Sequence, residues 1–268
     1  MSKNYLVIAR VGDNSLHPQW LLGRPNFDVY ISYFGDEPDK YREGATYYEC
    51  VKGGKWPAIA NIIKHNADLL ENYDVVWVPD DDLLVDTDTI NRMFGLFHGL
   101  NISYGQPALT VDSYFTYPFL LCDDASLVRY TNFVEVMAPI FSRDALKEIA
   151  PTIELSPSGW GLDFLWSKVF SKKGEDRVAV IDATPVKHTR PVGGELYRNN
   201  PELSPVKDWR KIEALFPDLK LDPNVKENKI HVNGVVRKHI IKSRFVARQV
   251  GKFYKRVGRK LQYTPKKV

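Results

Sequence analysis

The sequence predicts an α/β fold, and three observations predict it. Short β-branched and aromatic runs at residues 5–9, 27–34, 75–78 and 178–182 alternate with stretches of helical periodicity. Several of these runs end in turn residues or carboxylates, where α/β sheets place their ligands. The chain has 268 residues, 44% of them hydrophobic and 12% aromatic, enough for one large domain with a small appendage.

The first strand, 5–9, ends at Arg10-Val11-Gly12-Asp13-Asn14-Ser15, a turn by composition. There Arg10 can meet a phosphate and Asp13 a base or ribose, or both can be solvated loop residues. The second strand, 27–34, closes at Gly35-Asp36-Glu37-Pro38, and a polar, aromatic segment follows to Cys50. Pro57 suits the first turn of a helix, and Ile59, Ile62, Ile63, Asn66, Leu69 and Leu70 carry helical spacing to about residue 72. Gly53-Gly54 opens that helix, where Lys55 can add charge for an anion.

The third strand carries the main signal, Val75-Val76-Trp77-Val78-Pro79-Asp80-Asp81-Asp82-Leu83. Three consecutive carboxylates at a strand end repel one another unless a cation or solvent screens them. The pattern fits Asp80 and Asp82 holding a divalent metal that holds a diphosphate, with Asp81 pointing away from it; it also fits a solvated acidic turn. A helix over 87–97 and a strand over 102–104 come next, with Gly105 to Thr110 read as a turn and 114–119 as an irregular aromatic stretch facing an acceptor or the core. Residues 133–142 read as a strand that would bury Glu135, a costly position for a carboxylate unless it is paired or solvated. Ser142 caps the helix 143–149.

In Ser158-Gly159-Trp160-Gly161-Leu162-Asp163, glycines on both sides of Trp160 allow close approach to the indole. A helix starting near Leu162 puts Asp163 in its first turn, where the dipole favours the anion. A carboxylate beside an accessible tryptophan suits a general base on a sugar hydroxyl; an ordinary helix-start acid over a core tryptophan is the plainer alternative. After the strand 178–182, His188 lies in a loop with Lys187, Arg190 and the pair Gly193-Gly194. A neutral imidazole there can complete a metal shell begun by carboxylates, with Arg190 facing phosphate. Residues 208–215 form a short helix, and 216–233 read as a linker.

Charge divides the chain. From Gly234 to Val268 there are twelve Lys and Arg and no acid, which leaves 25 basic against 33 acidic residues before it. Val246, Val250, Phe253, Val257 and Leu261 follow one another at intervals of 4, 3, 4 and 4. Residues 234–268 therefore read as a basic amphipathic helical tail, suited to an anionic membrane surface or to packing on the body. No nucleic-acid-binding motif supports the other electrostatic reading, so no nucleic acid is expected. Cys50 and Cys122 fit neither a zinc site nor a disulfide framework. No run approaches the roughly 18 apolar residues of a membrane span, and the N-terminus shows no cleavage pattern. A cytoplasmic protein, bound at most peripherally to the inner membrane face, is expected.

These stretches resemble the family named domain of unknown function 707, regarded as glycosyltransferase-like. The resemblance rests on Lys55-Trp56, Tyr73-Asp74 leading to Asp80-Asp81-Asp82-Leu83, Ile102-Ser103, Phe133 to Ser142, Gly159 to Phe164, and His188. More distantly, the order Asp-x-Asp, Gly-Trp-Gly with a following acid, and His-Thr-Arg is similar to that of inverting β-1,4-galactosyltransferases with the GT-A fold. That likeness implies a GT-A-like α/β domain over 1–215, with a Rossmann-like nucleotide-binding half and a mixed central sheet. It implies Asp80, Asp82 and His188 as the ligands of Mn²⁺ or Mg²⁺, and Asp163 as catalytic base. This chain has a single acid after Gly-Trp-Gly, a departure that bears on Asp163.

The expected activity is metal-dependent transfer of a sugar from a nucleotide-sugar donor to a glycan or lipid-linked hydroxyl. Donor and acceptor contacts are expected from Arg10, Asp13, Lys55, Asp81, Glu135, Trp160, Gly161 and Arg190. A nucleotidyltransferase would need a Gly-rich basic loop after its first strand, where residues 10–17 hold one glycine. A non-catalytic sugar-binding protein would not need three strand-end carboxylates and a downstream histidine.

Overall fold

The computed structural model describes residues 4–174, 176–191, 203–219, 224–231 and 236–242. Strands β1 (Tyr5–Val11), β2 (Phe27–Tyr33), β3 (Tyr47–Cys50) and β4 (Val75–Trp77) lie parallel in the spatial order β3-β2-β1-β4. This is one half of a doubly wound sheet, and its order reverses between β1 and β4. Beyond β4 the sheet becomes mixed. The strand β8 (Ile140–Ser142) pairs antiparallel with β4 and with β6 (Tyr104–Leu109). Next come β9 (Val178–His188), parallel to β6, and β7 (Ser126–Thr131), antiparallel to β9. A Rossmann-like half continued by a mixed sheet is the architecture expected.

Burial explains why these runs are strands. Along β1, Leu6 and Ile8 enter one core while Val7, Ala9 and Val11 enter another, so alternate side chains bury on opposite sheet faces. The first face is covered by α1 (Lys55–His65), α2 (Ala67–Leu70), α4 (Arg143–Ile153), α5 (Leu162–Ser171) and α6 (Pro205–Leu215). The second is covered by α3 (Thr87–Gly99) and a 3-10 turn, His17–Leu21, whose Trp20 meets Trp77. Asp86 and Ser142 cap α3 and α4 by accepting from the N–H groups of Thr89 and Ala145.

Several expectations change. Residues 105–109 belong to β6 rather than to a turn, because β9 pairs along them on one side, with β8 on the other side at Tyr104 and Gly105. Residues 133–139 do not continue a strand; only Ile140–Ser142 pairs, which leaves Glu135 in a loop. The strand expected to end at 182 runs to His188, and its last residues pair with the two-residue β5 (Leu83–Leu84). Helix 57–72 is broken at Asn66, whose side-chain amide donates to the Ile62 carbonyl. The linker expected at 216–233 contains β10 (Asn224–His231), and β11 (Val236–Lys242) occupies the start of the expected helical tail. These two form a hairpin on the outer side of β7, where an otherwise open edge offers unpaired backbone groups. The helical periodicity from Val246 to Leu261 lies outside the described residues.

One buried ion pair joins the mixed half. Arg129 of β7 donates from Nε and Nη2 to Asp182 of β9, and its remaining donors reach the Phe119 and Leu121 carbonyls. The side chains are 4% and 0% exposed. Arg129→Met strands a buried carboxylate and two carbonyls, so urea denaturation should show a loss of about 3–5 kcal/mol. A change within about 0.5 kcal/mol would show that the pair contributes nothing.

Candidate active site

The site is built where the strand order reverses. β1 and β4 end side by side there, and in open α/β sheets that crevice receives ligands. Asp80, Asp81 and Asp82 follow β4 immediately, yet the fold gives each a different partner.

Asp80 accepts from Lys55 Nζ at 2.6 Å, and the same ammonium reaches the carbonyls of Met137 at 3.1 Å and Val136 at 3.3 Å. Lys55 is the first residue of α1, so the helix entrance delivers its charge onto the aspartate rather than leaving it open for an anion. Burial raises the Asp80 carboxyl, as does the neighbouring Asp82 charge, while Lys55 pulls it down. Asp81 turns the other way. Its Oδ2 accepts from the Gly12 N–H at 2.9 Å and its Oδ1 from Arg190 Nη1 at 3.3 Å. Its carbonyl takes the Leu16 N–H. Burial lifts this carboxyl to about 6 against the pull of Gly12 and Arg190. Asp81 therefore ties together the loops after β1, β4 and β9.

Asp82 faces His188. Its Oδ2 stands 3.2 Å from His188 Nε2, with side-chain exposures of 9% and 8%. The pairing of β5 with β9 sets Leu83 opposite His188, which brings the preceding aspartate to the imidazole. The Asp82 carbonyl accepts from both the N–H and the hydroxyl of Thr189. His188 Nδ1 lies 2.8 Å from the Tyr114 carbonyl. Both ring nitrogens thus face acceptors, the arrangement of a doubly protonated imidazolium. Burial lowers this histidine, but the Asp82 contact and charge and the Tyr114 carbonyl outweigh it and raise the group to about 9. Asp82 Oδ1 is buried and makes no hydrogen bond.

Among the described residues, no three or more His, Cys, Asp and Glu side chains are arranged to hold a metal ion. The expected trio is divided: Asp82 and His188 meet, and Asp80 is engaged by Lys55.

Asp163, in the first turn of α5, is 5% exposed, and its Oδ1 accepts the Phe164 N–H at 2.9 Å. Burial lifts this carboxyl to about 8, with the charge of Glu135 adding to the effect. Glu135 is held by its own N–H, which donates to Gln106 Oε1 at 2.5 Å. Burial raises it to about 7; the Asp80 charge adds, and Thr116 and His188 oppose. Glu135 thus lies electrostatically between Asp163 and the aspartate cluster.

The surroundings of the other expected contact residues differ from one to the next. Arg10 is 4% exposed, and its two terminal nitrogens are spent on Ser32 and on the Val51 and Gly53 carbonyls. It holds the loop that leads into α1 and has no direction in which to meet a phosphate. The Asp13 carboxylate is occupied by the Tyr33 hydroxyl and the Asp36 N–H. Gly161 has φ +89°, and an added Cβ would lie 2.8 Å from Trp209, so α6 rather than a ligand demands this glycine. Gly159, at φ +78°, is pressed in the same way against Trp56. Trp160 is half-buried, with its backbone held by Ser156 and Ser158. Asp208 of α6 takes the Ser158 N–H at 2.9 Å. Trp56, Trp209 and Asp208 thus position the Gly-Trp-Gly loop, a role that no local sequence signal announces. Arg190, 36% exposed, crosses to Asp81 and to the Asn14 carbonyl.

The family model described as "Protein of unknown function (DUF707)" matches residues 116–213. That stretch holds Glu135, Trp160, Asp163, His188 and Arg190, but not Lys55 or the three aspartates. No curated protein matches the chain. Among solved structures, the chain is similar to S. aureus TarS 1-349, with 12% identity, 82% of this chain and 75% of that one covered, and a TM-score of 0.46. It is similar to the same fragment in complex with UDP-GlcNAc, with 12% identity, 80% and 66% covered, and a TM-score of 0.47. It is also similar to A197 from STIV, with 11% identity, 70% and 86% covered, and a TM-score of 0.38.

The raised Asp163 carboxyl sets a pH dependence. The native state keeps a proton on it that the unfolded chain releases near the ordinary carboxylate value, so this group costs stability as pH rises from about 4 to about 8. Asp163→Asn should flatten that slope by about 1.4 kcal/mol per pH unit, giving a variant that gains on the native protein at pH 8 relative to pH 5 in urea denaturation. Parallel pH profiles would place the titration elsewhere.

Proposed function

We propose that this protein transfers a sugar from a nucleotide-sugar donor to a glycan or lipid-linked hydroxyl. One observation carries the reading: the aspartate cluster, Lys55, His188 and Arg190 converge from distant segments on the reversal point of the sheet, with the buried Asp163 and the half-buried Glu135 as further carboxyls. The orphaned Asp82 Oδ1 supports a divalent cation, as does an imidazole whose Nδ1 is fixed by a carbonyl. Asp82 and His188, its Nε2 having given up its proton, would hold Mn²⁺ or Mg²⁺, with Asp80 assisting once Lys55 turns from it. The cation supplies charge neutralisation for the departing diphosphate.

The chain's own residues account for the remainder. Arg190 brings positive charge to the donor's phosphates, and Lys55 does so once the cation has displaced it from Asp80. Asp163 accepts the proton of the acceptor hydroxyl, and its raised value near working pH suits a general base. The acceptor oxygen bonds to the anomeric carbon as the bond to the diphosphate breaks, and the diphosphate leaves with the electron pair. In-line attack inverts the anomeric configuration. Glu135 sets the charge around Asp163, and Trp160 offers its exposed edge to a sugar.

Calorimetry with a panel of nucleoside-diphosphate sugars should show binding that strengthens with Mn²⁺, and Asp82→Ala should lose the metal-dependent part. Binding to no nucleotide, or the same affinity with and without metal, overturns the reading. Asp163→Asn should keep donor binding and lose transfer; a fully active variant removes Asp163 as base.

We assign the basic C-terminal run to contact with an anionic membrane at its cytoplasmic face. No helix among the described residues is long and apolar enough to cross a membrane. Because Val236–Lys242 pairs into the sheet, the tail must be cut after Lys242. That truncation should release the protein from phosphatidylglycerol vesicles, and unchanged sedimentation with them refutes the assignment.

A further inference from the structure

The loop between β6 and β7 presents an unusual surface. Val111 is 79% exposed, Tyr114 50% and Phe115 40%, three large apolar side chains within five residues. Exposure of this kind is ordinary on a loose loop, but this backbone is fastened at many points. The Thr110 N–H donates to the Val186 carbonyl at 2.9 Å, and the Tyr114 N–H to the His188 carbonyl at 3.0 Å. The Ser113 hydroxyl accepts from the His188 N–H at 3.1 Å, and Lys187 pairs with Asp112 at 2.6 Å. A fixed backbone that holds aromatic rings in water marks a binding surface.

Its position says what it binds. The Tyr114 carbonyl holds the imidazole of His188, so the patch begins where the donor's phosphates are placed. At its other end, Tyr117 is 2% exposed and meets Phe133, whose ring meets Phe164, the residue after Asp163; both ring pairs are 4.9 Å apart. A chain of buried rings thus connects the far end of the loop to the helix that carries Asp163.

We propose that Tyr114 and Phe115 form the acceptor platform, on which the apolar face of a pyranose ring packs while its hydroxyl is directed toward Asp163. This rests on the glycosyl-transfer reading and adds the acceptor's chemical class: a sugar ring, rather than a bare lipid or peptide hydroxyl. An aromatic face recognises the C–H face of a pyranose. Polar groups at the rim, from Thr110, Asp112 and Lys187, are at hand for its hydroxyls.

The test uses the full chain and saturation-transfer NMR with methyl glycosides of glucose, galactose, mannose and N-acetylglucosamine. At least one glycoside should receive saturation from the native protein, and Tyr114→Ser with Phe115→Ser should weaken its binding about tenfold. Tyr114→Phe should retain binding, and nucleotide affinity by calorimetry should stay within about twofold in every variant. No glycoside binding to the native protein, or equal binding to the double variant, overturns the platform. Parallel loss of nucleotide affinity also overturns it, by showing that the loop only supports His188. Failure of the transferase reading is seen separately, as absence of nucleotide binding to the native protein.

Discussion

Three adjacent carboxylates at one shielded strand end are tolerable only if each has its own counter-charge or donor. Asp80 has Lys55, Asp81 has the Gly12 N–H and Arg190, and Asp82 has His188. These partners arrive from the entrance of α1, the loop after β1, and the end of β9. Neutralising the aspartates and assembling the site are therefore one event. Without these partners, mutual repulsion and burial would push the group toward protonation.

Division of labour follows from this constraint. Asp81 is a structural tie, because both its oxygens are used within the protein. Asp82 retains an oxygen without a hydrogen bond, and Asp80 is held by the Lys55 ammonium. His188 links this cluster to the fastened, aromatic loop 110–114, so the charged and apolar halves of the site share one strand end. On the far side, Glu135 and Asp163 form a carboxyl pair whose burial favours its protonated state. The two carboxyl groups differ in setting: Asp163 is buried in the first turn of α5, and Glu135 lies in a loop fixed by Gln106.

Much of this was legible from residues alone. The parallel half was visible because β1, β2 and β4 are largely buried on both faces and read as short runs rich in β-branched and aromatic residues. The starts of α3, α4 and α5 were visible because capping and glycine entrances are local chemistry. The aspartate cluster, the acid after Gly-Trp-Gly and His188 stood out by residue type and position. Less legible was β3, whose Tyr47-Tyr48-Glu49-Cys50 is half polar and pairs only as an edge. The Asn233-Gly234 pair, a recognised hairpin signal between β-branched residues, was a usable clue to the β10–β11 hairpin that helical periodicity farther on obscured.

Local sequence determined the alternation of strands and helices, the position of the carboxylates at a strand end, and the contrast between acidic body and basic tail. Each depends on neighbours a few residues away. Tertiary structure decided the partners. It carried β9 on to His188 opposite Leu83, turned Arg10 inward to four backbone or side-chain acceptors, and put Lys55 on Asp80. It also made Gly159 and Gly161 necessary by packing Trp56 and Trp209 against them. These outcomes depend on residues many positions apart competing for the same buried donors, acceptors and space, and such competition has no period or motif along the chain.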